Sequence, residues 1–228
     1  MKILAIETSC EQGSIALLAG DAMFERELVG QANHSAHLLP EIRSLLADAG
    51  MGLQDLDAVA FGSGPGAFTG LRLACAAAQG LALGAGLGVV PVCSLAALAL
   101  QGEGDRLFVA TDARMNEIYF AAYERREGVL ATLQAPRCAP PEAVALPEGK
   151  WFALGSGFAA YPALAERFGA QLCGVQPAAA SRAGDVARLA LPELRRGALL
   201  APELAAPLYV RDKVALTTAE RLARGGRA

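Results

Sequence analysis

A carboxylate and two hydroxyl groups follow the first apolar run of the chain. Residues 2–6 are apolar apart from the leading lysine, and Glu7, Thr8 and Ser9 come directly after them. A carboxylate at the end of a strand, with hydroxyls in a tight turn behind it, can hold a phosphate group or a magnesium-bound water. A solvated hairpin turn would use the same residue types. The pattern makes Glu7, Thr8 and Ser9 candidates for phosphate binding.

A glycine-rich segment, GSGPGAFTGLR, occupies residues 62–72. Its glycines allow the backbone to approach a ligand closely, Pro65 stiffens the turn, and the helix predicted just after it could point free N–H groups at an anion. The segment is not a P-loop, because Leu-Arg follows Gly70 where Lys-Ser/Thr is required. Two readings stay open: a ligand loop containing Gly64, Pro65 and Gly66, or close packing of a strand on a helix.

Other catalytic arrangements are poorly supported. His34 and His37 could share a helix face, but a metal site needs a third ligand and no Cys/His cluster supplies one. Capping or surface histidines at a helix start are favoured over a metalloprotease-like site. No GxSxG motif is present, so nucleophilic hydrolysis is also disfavoured. We predict no catalytic residue and no metal ligand.

The helix predicted over residues 70–83 is apolar on all sides. Its only polar side chains are Arg72 and Gln79, and it contains no Thr or Ser. A helix that covers a sheet on one side normally keeps a polar face toward water. We therefore expect both faces to be buried, the second one beneath a partner protein. Burial beneath another element of the same chain is the alternative.

The elements that would position these residues form a repeated pattern. Strands are predicted over 2–7, 13–19, 22–28, 57–62 and 88–93, and helices over 34–49, 70–83 and 94–101. The pattern restarts with strands over 106–111, 117–125, 129–134 and 150–154, and helices over 140–146, 158–167 and 182–196, the last one interrupted or bent near Pro192. Each half opens with three antiparallel strands. This order predicts an α/β fold with two lobes, residues 1–102 and a smaller lobe, residues 103–228.

Composition excludes several classes of protein. Apolar residues make up 54% of the 228 residues and charged residues 19%, which excludes intrinsic disorder. Residues 73–102 carry no charge, but Gly84, Gly86, Gly88 and Pro91 interrupt them, so we do not expect a membrane span. The first apolar run ends at Glu7, too early for a signal peptide.

Cysteine usage and charge indicate a cytoplasmic protein without a general affinity for nucleic acid. The five cysteines are scattered and form no CxxC pair, which is typical of reduced, structural cysteines. The net charge is −3, yet residues 182–228 hold nine Arg or Lys and five Asp or Glu, a local net of +4. This basic C-terminal region could touch the phosphates of a nucleic acid, although a solvated tail is favoured.

Several segments together resemble one protein family. They are ILAIETS at 3–9, GSGPGAFTGLR at 62–72, AQGLALG at 78–84, DARMNEIYFAAY at 112–123, GSGF at 155–158 and PLYVRDKVA at 207–215. In this combination they resemble the bacterial TsaB (YeaZ-type) proteins almost end to end. The resemblance implies an actin-like, sugar-kinase-like (ASKHA) fold with mixed sheets flanked by helices.

The resemblance also implies a function and partners. It implies a subunit of the machinery that makes threonylcarbamoyladenosine beside the tRNA anticodon, in which the paralogue TsaD is catalytic and the small ATPase TsaE joins the complex. The first-lobe helices would form the heterodimer with TsaD, or a homodimer when the chain is alone, and tRNA would be contacted through the complex. The residues expected at this interface are Leu38, Ile42, Leu45, Leu71, Ala74, Cys75, Ala78, Leu81 and Ala82.

Departures from the catalytic paralogue predict a scaffold without catalysis of its own. The two histidines stand three residues apart, whereas the metal-holding pair of TsaD stands four apart, and the second hairpin, DARMNE, lacks a phosphate-loop glycine. We predict a degenerate nucleotide cleft lined by Glu7, Thr8, Ser9, Gly64, Pro65, Gly66 and Asp112. ATP or ADP with Mg²⁺ in the assembled complex is left open. The alternative function is an ATP-dependent enzyme of the same superfamily, such as a sugar kinase or an ATPase.

Overall fold

The first of two sheets is built from the N-terminal part of the chain. The computed structural model describes residues 1–28 and 34–211. The strands are β1 (Lys2–Glu7), β2 (Ser14–Ala19), β3 (Ala22–Glu27), β4 (Ala58–Gly64) and β5 (Gly88–Cys93). Their order is β3-β2-β1-β4-β5, with β1, β2 and β3 antiparallel and β4 and β5 parallel to β1. The sheet is therefore mixed, as a hairpin opening followed by βα units requires.

The second sheet repeats this topology. Its strands are β6 (Arg106–Asp112), β7 (Ile118–Arg126), β8 (Val129–Ala139), β9 (Trp151–Leu154) and β10 (Leu172–Gln176). Their order is β10-β9-β6-β7-β8, again with the first three strands antiparallel and the last two parallel to the first. Two sheets with the same strand order and directions confirm the predicted two-lobed, actin-like α/β fold.

Six helices complete the described chain. They are α1 (His34–Asp48), α2 (Phe68–Ala85), α3 (Ser94–Ala99), α4 (Gly157–Ala160), α5 (Pro162–Phe168) and α6 (Ala183–Arg195). Short 3₁₀ turns lie at Leu53–Asp55, Pro141–Ala143, Gly169–Gln171 and Pro202–Leu204. None of the described helices is long and apolar enough to cross a membrane.

The first sheet is buried on both faces. Side chains alternate along a strand, so Leu4 and Ile6 of β1 point to one face and Ile3 and Ala5 to the other. Helices α1 and α2 cover the first face, and α3 and α6 cover the second. This two-sided burial explains why β1, β2 and β4 are nearly continuous apolar runs.

The second sheet has thinner cover. The short helices α4 and α5 pack on one face around Phe108 and Trp151, and α3 packs on the other face near Tyr123. Strand β8 lies at the edge of the sheet, and Val129 and Leu133 are exposed there. Helix α3 thus contributes to the cores on both sheets and joins the two lobes.

The predicted elements of the second half needed several corrections. The helix predicted over 158–167 is two helices, because Pro162 starts a new one. The predicted helix 140–146 is a single 3₁₀ turn, β8 continues five residues beyond its predicted end, and β10 was not predicted. Helix α6 runs through Pro192 without interruption.

The predicted division at residues 102 and 103 falls between α3 and β6, and therefore between the two sheets. Helix α6 nevertheless packs on the first sheet, and Leu200 forms a bridge with Val89 of β5. The division into two domains stays a prediction, and the chain after residue 182 contributes to the first lobe.

Candidate functional site

The carboxylate of Glu7 is fully buried, and each of its two oxygens accepts a hydrogen bond from the protein. One oxygen, Oε1, accepts a hydrogen bond from the Ser9 backbone N–H at 2.7 Å, and Oε2 accepts one from the Ser181 hydroxyl at 2.7 Å. A Cβ at Gly62 would overlap this carboxylate, so strand β4 leaves it no room to move. The pairing satisfies a buried charge that would otherwise be strongly unfavourable.

The hairpin loop after Glu7 is bonded to the glycine-rich loop. The Thr8 hydroxyl donates to the carbonyl of Gly70 at 2.7 Å, and the Ala67 N–H donates to the carbonyl of Ser9 at 2.7 Å. A Cβ at Gly70 would overlap the Thr8 carbonyl oxygen, and one at Gly66 would overlap the Ser9 carbonyl oxygen. Gly66 and Gly70 therefore permit close packing of the glycine-rich loop on the first hairpin, while ligand binding by this loop stays a prediction.

Gly64 and Pro65 lie in the interior of the same loop. The Gly64 N–H donates to the Ser94 hydroxyl at 3.1 Å, and its φ of +109° is one that glycine adopts readily. The carbonyl of the preceding Ser63 accepts a hydrogen bond from the Leu208 N–H at 2.7 Å. The loop is thus held by strand β5, by the start of α3 and by the C-terminal part of the described chain.

Cys10 adds a thiol to this buried cluster. Its Sγ lies 3.3 Å from the Gln12 carbonyl oxygen and 3.9 Å from that of Ser181. Burial, and then the negative charge of Glu7, raise the pKa of Cys10 to about 11. The thiol is therefore protonated at neutral pH and unsuited to nucleophilic attack.

The second hairpin, between β6 and β7, is built differently. The Asp112 carboxylate accepts a hydrogen bond from the backbone N–H of Arg114 at 2.8 Å and forms an ion pair with the Arg114 guanidinium at 3.2 Å. Arg114, Met115 and Asn116 all have φ near +58°, a conformation that non-glycine residues seldom adopt. The guanidinium of Arg114 also pairs with Glu11 at 2.6 Å, which bridges the two hairpins at the surface.

The residues predicted to line the cleft fall into two groups. Glu7, Thr8, Ser9 and the glycine loop come together through direct hydrogen bonds, while Asp112 lies on the other hairpin and is connected through Arg114 and Glu11. Ser181 was missed, because it lies 174 residues from Glu7 and its sequence context carries no signal. Nucleotide binding by this group stays a prediction.

Within residues 1–28 and 34–211, no three His, Cys, Asp or Glu side chains gather in a way that could hold a metal ion. The imidazole of His34 packs against Gly13, where a Cβ would come within 3.0 Å of it, and His37 is exposed on α1.

The predicted partner surface needs correction. Eight of its nine side chains are buried in the chain's own core, and Leu81 is half-buried. Eight of these side chains are therefore unavailable to a partner: Leu38, Ile42, Leu45, Leu71, Ala74, Cys75, Ala78 and Ala82. The helical periodicity marks the apolar side of each helix, and this side faces the sheet rather than a partner. The side of α2 that faces solvent carries Thr69, Arg72, Ala76, Gly80 and Leu83, which we name the docking face.

A C-terminal strap, residues 205–211, connects α2 to the second hairpin. The Ala205 carbonyl accepts hydrogen bonds from Gln79 at 3.0 Å and from the Cys75 thiol at 3.5 Å. At the other end, Arg211 pairs with Glu117 at 2.7 Å and donates to the Ala113 carbonyl at 2.9 Å. Local sequence patterns do not predict this structural role. Residues 212–228, which hold four of the nine basic residues of the C-terminal region, lie outside the described residues.

Comparisons with known proteins agree with this architecture. The family model described as "TsaD: tRNA N6-adenosine threonylcarbamoyltransferase" matches residues 28–217. The tRNA threonylcarbamoyladenosine biosynthesis protein TsaB of Escherichia coli is 35% identical over 94% of this chain and 96% of its own. That of Haemophilus influenzae is 38% identical over 73% of this chain and 77% of its own.

Two solved structures from Pseudomonas aeruginosa are also similar. YeaZ superposes with a TM-score of 0.83 at 36% identity, covering 91% of this chain and 99% of its own. A protein described as similar to peptidase YeaZ gives a TM-score of 0.85 at 36% identity, with 92% and 99% coverage. These matches extend nearly end to end and confirm the resemblance found in the sequence. The chain belongs to the TsaB (YeaZ-type) family of tRNA threonylcarbamoyladenosine biosynthesis proteins.

Proposed function

We propose that this chain is a non-catalytic scaffold in tRNA threonylcarbamoyladenosine biosynthesis, which binds and supports the catalytic TsaD subunit. One observation carries the proposal: the groups that could bind phosphate in the first lobe are occupied by the chain itself. Both Glu7 oxygens accept internal hydrogen bonds, and the glycine loop packs directly on Thr8 and Ser9. A phosphate would have to displace these contacts.

The docking face of α2 is the surface proposed for TsaD. It carries a single charge, at Arg72, and Leu83 is 72% exposed. A Cβ at Gly80 would meet nothing within 4 Å, so a partner helix could approach the backbone closely. Exposed apolar surface of this kind marks interaction sites in proteins. Leu39 of α1 is exposed as well.

The experiment is titration of purified chain with TsaD from the same organism. Ala76→Glu places a charge on the docking face without touching the core, and we expect the affinity to fall at least about tenfold, since a buried unpaired charge is unfavourable. Ala163→Glu is the matched control, because Ala163 is exposed on α5 of the second lobe. If the wild-type chain does not bind TsaD, the scaffold proposal is wrong. If Ala76→Glu and Leu83→Glu both bind normally, the surface is wrong.

An ATP-dependent enzyme is the second candidate. The observation in its favour is that the two hairpins are bridged at the surface by an exposed ion pair, Arg114–Glu11, which could open at little cost. Calorimetric titration with Mg-ATP separates the candidates. Micromolar binding by the lone chain, with turnover abolished in Glu7→Ala, would replace the scaffold proposal. ATP or ADP with Mg²⁺ bound only in the assembled complex would leave it intact.

The remaining partners follow from the same proposal. TsaE would join the complex, tRNA would be contacted through it, and the lone chain could form a homodimer through the docking face. We place the protein in the cytoplasm, in keeping with five free cysteines. Deleting residues 217–228 and measuring tRNA binding by the assembled complex tests whether the basic tail contributes.

A further inference from the structure

We infer that Phe68, Arg72 and Tyr209 form an energetic hot spot at one end of the docking face, and that Arg72 there receives a carboxylate from the partner protein. The inference rests on the proposed function, in which TsaD binds α2. It adds a third element, the C-terminal strap, to a surface otherwise made of two helices.

The three side chains already form an ordered stack at the surface. The Arg72 guanidinium carbon lies 3.7 Å from the centre of the Phe68 ring, a cation–π contact. Its Nε donates a hydrogen bond to the Tyr209 hydroxyl at 3.2 Å, and the two aromatic rings are 5.8 Å apart. Phe68 nevertheless remains 47% exposed and Tyr209 52% exposed. A large aromatic surface is thus presented to solvent in a fixed arrangement.

The strap holds Tyr209 in place from both sides. The Leu208 N–H donates to the Ser63 carbonyl at 2.7 Å, and Arg211 pairs with Glu117 at 2.7 Å. Less conformational entropy is therefore lost when a partner covers the tyrosine than would be lost for a free tail. Buried tyrosine, tryptophan and arginine side chains dominate the energetics of most protein interfaces.

The stack is continuous with the docking face. Phe68, Arg72 and Ala76 are spaced four residues apart on α2, so they line one side of the helix. The same side continues to Gly80 and Leu83, which are exposed. A partner helix lying along α2 would therefore reach the stack with one end.

Charge identifies the occupant as a protein rather than a nucleic acid, and the proposed function makes that protein TsaD. Arg72 is the one charged residue of α2, and a nucleic acid would need several cations to neutralise its phosphates. In a symmetric dimer, α2 would bring no carboxylate to Arg72, and Glu41 and Asp48 of α1 are already paired with Arg26. Within the described part of the chain, Arg72 donates a hydrogen bond through Nε. Its two terminal nitrogens, Nη1 and Nη2, can therefore face a carboxylate of a different chain.

The experiment measures TsaD affinity for four full-length variants by calorimetry. We expect Arg72→Glu to weaken binding at least about 30-fold and Phe68→Ala at least about tenfold, as for hot-spot residues. Tyr209→Phe, which keeps the ring and loses the hydroxyl, should weaken binding about threefold. Phe24→Ala is the control, because Phe24 is 42% exposed on the edge strand β3, and it should bind normally. Thermal melting confirms that each variant is folded.

The outcomes separate this inference from the proposed function. If Ala76→Glu abolishes TsaD binding while Phe68→Ala and Arg72→Glu bind normally, the hot spot is wrong and the scaffold stands. If the wild-type chain does not bind TsaD, both are wrong. If Arg72→Glu changes only tRNA binding by the lone chain, measured by anisotropy, the surface takes nucleic acid. If Phe68→Ala changes only self-association, measured by sedimentation, it takes a second copy. Either result overturns the inference.

Discussion

The two lobes have the same strand order, yet their first hairpins are opposite in character. In the first lobe, Thr8 and Ser9 at the start of the loop after β1 are buried, and the carboxylate of Glu7 is bonded to Ser9 and Ser181. In the second lobe, the loop after β6 is exposed, and Arg114 is 73% exposed with its backbone in a rarely adopted conformation. The difference teaches that one topology can either fill a ligand position with its own side chains or leave it at the surface.

The surrounding layers explain this difference. The first sheet is covered on both faces by helices, and the segment just before α6 brings Ser181 to Glu7 from 174 residues further along the chain. The second sheet has only the short helices α4 and α5 on one face. We therefore expect the first hairpin to be critical for stability and the second to tolerate change.

The largest effect is expected where the glycine loop touches the first hairpin. Gly70→Ala should lower the free energy of unfolding by about 3 kcal/mol, because its Cβ would overlap the Thr8 carbonyl and force the backbone to shift. Gly80→Ala in the same helix is the control and should raise it by about 0.5–1 kcal/mol, since open space surrounds it. Urea unfolding measures both. Equal stabilities of the two variants would contradict the tight packing.

A smaller effect is expected from neutralising the buried carboxylate. Glu7→Gln keeps the size of the side chain but weakens its hydrogen bonds, and we expect a loss of about 2 kcal/mol in the free energy of unfolding. Asp112→Asn, the corresponding change beside the second hairpin, should cost about 0.5 kcal/mol, because its partner Arg114 is at the surface. If the second variant were the less stable one, the contrast between the hairpins would be reversed.

The burial of the first hairpin should also affect how the free energy of unfolding depends on pH, through the thiol of Cys10. Its pKa rises from 9.0 to about 11 in the folded protein, so the neutral thiol is favoured there. Stability from this group is full below pH 9 and is lost as the pH rises from about 9 to 11. Cys10→Ala should therefore make the decline in urea stability over this range less steep. Cys173→Ala, which removes an exposed thiol, is the matched control, and a parallel change in both variants would disagree with the prediction.

The smallest effect is expected at the bridge between the hairpins. Arg114→Ala removes the ion pairs to Glu11 and Asp112. Because the Arg114 side chain is largely exposed, the loss in the free energy of unfolding should be below about 0.5 kcal/mol. Adding 0.5 M salt, roughly enough to screen surface charges, should remove the difference from the wild-type chain. A loss several times larger would show that the bridge holds the lobes together.

Local patterns predicted most of the first lobe well. Strand β5 and the start of α1 match their predicted bounds, because a β-branched apolar run marks β5 and helical periodicity marks α1, whose end lies just before Gly50. The second half was predicted less well, since β10 pairs in parallel with β9 and its apolar alternation is weak. A strand that depends on a distant partner leaves little signal in its own residues.

The candidate site was predicted only in its local parts. Glu7, Ser9 and the glycine loop come from contiguous motifs, whereas Ser181 and the strap reach them across most of the chain. The partner surface was predicted on the wrong side of α2 for a different reason. Apolar side chains on both sides of α2 give little contrast, so periodicity cannot say which side the sheet covers.

The return of α6 to the first sheet has a consequence for biosynthesis. The ribosome completes β1 to β5 before it has made α6, so the face of Ile3, Ala5 and Val90 stays uncovered while about half of the chain is still to be synthesised. Nascent chains with uncovered apolar sheet are prone to aggregate and to recruit chaperones. The first lobe is thus completed only after α6 has been synthesised, and a chain terminated before α6 would leave this face without that helix.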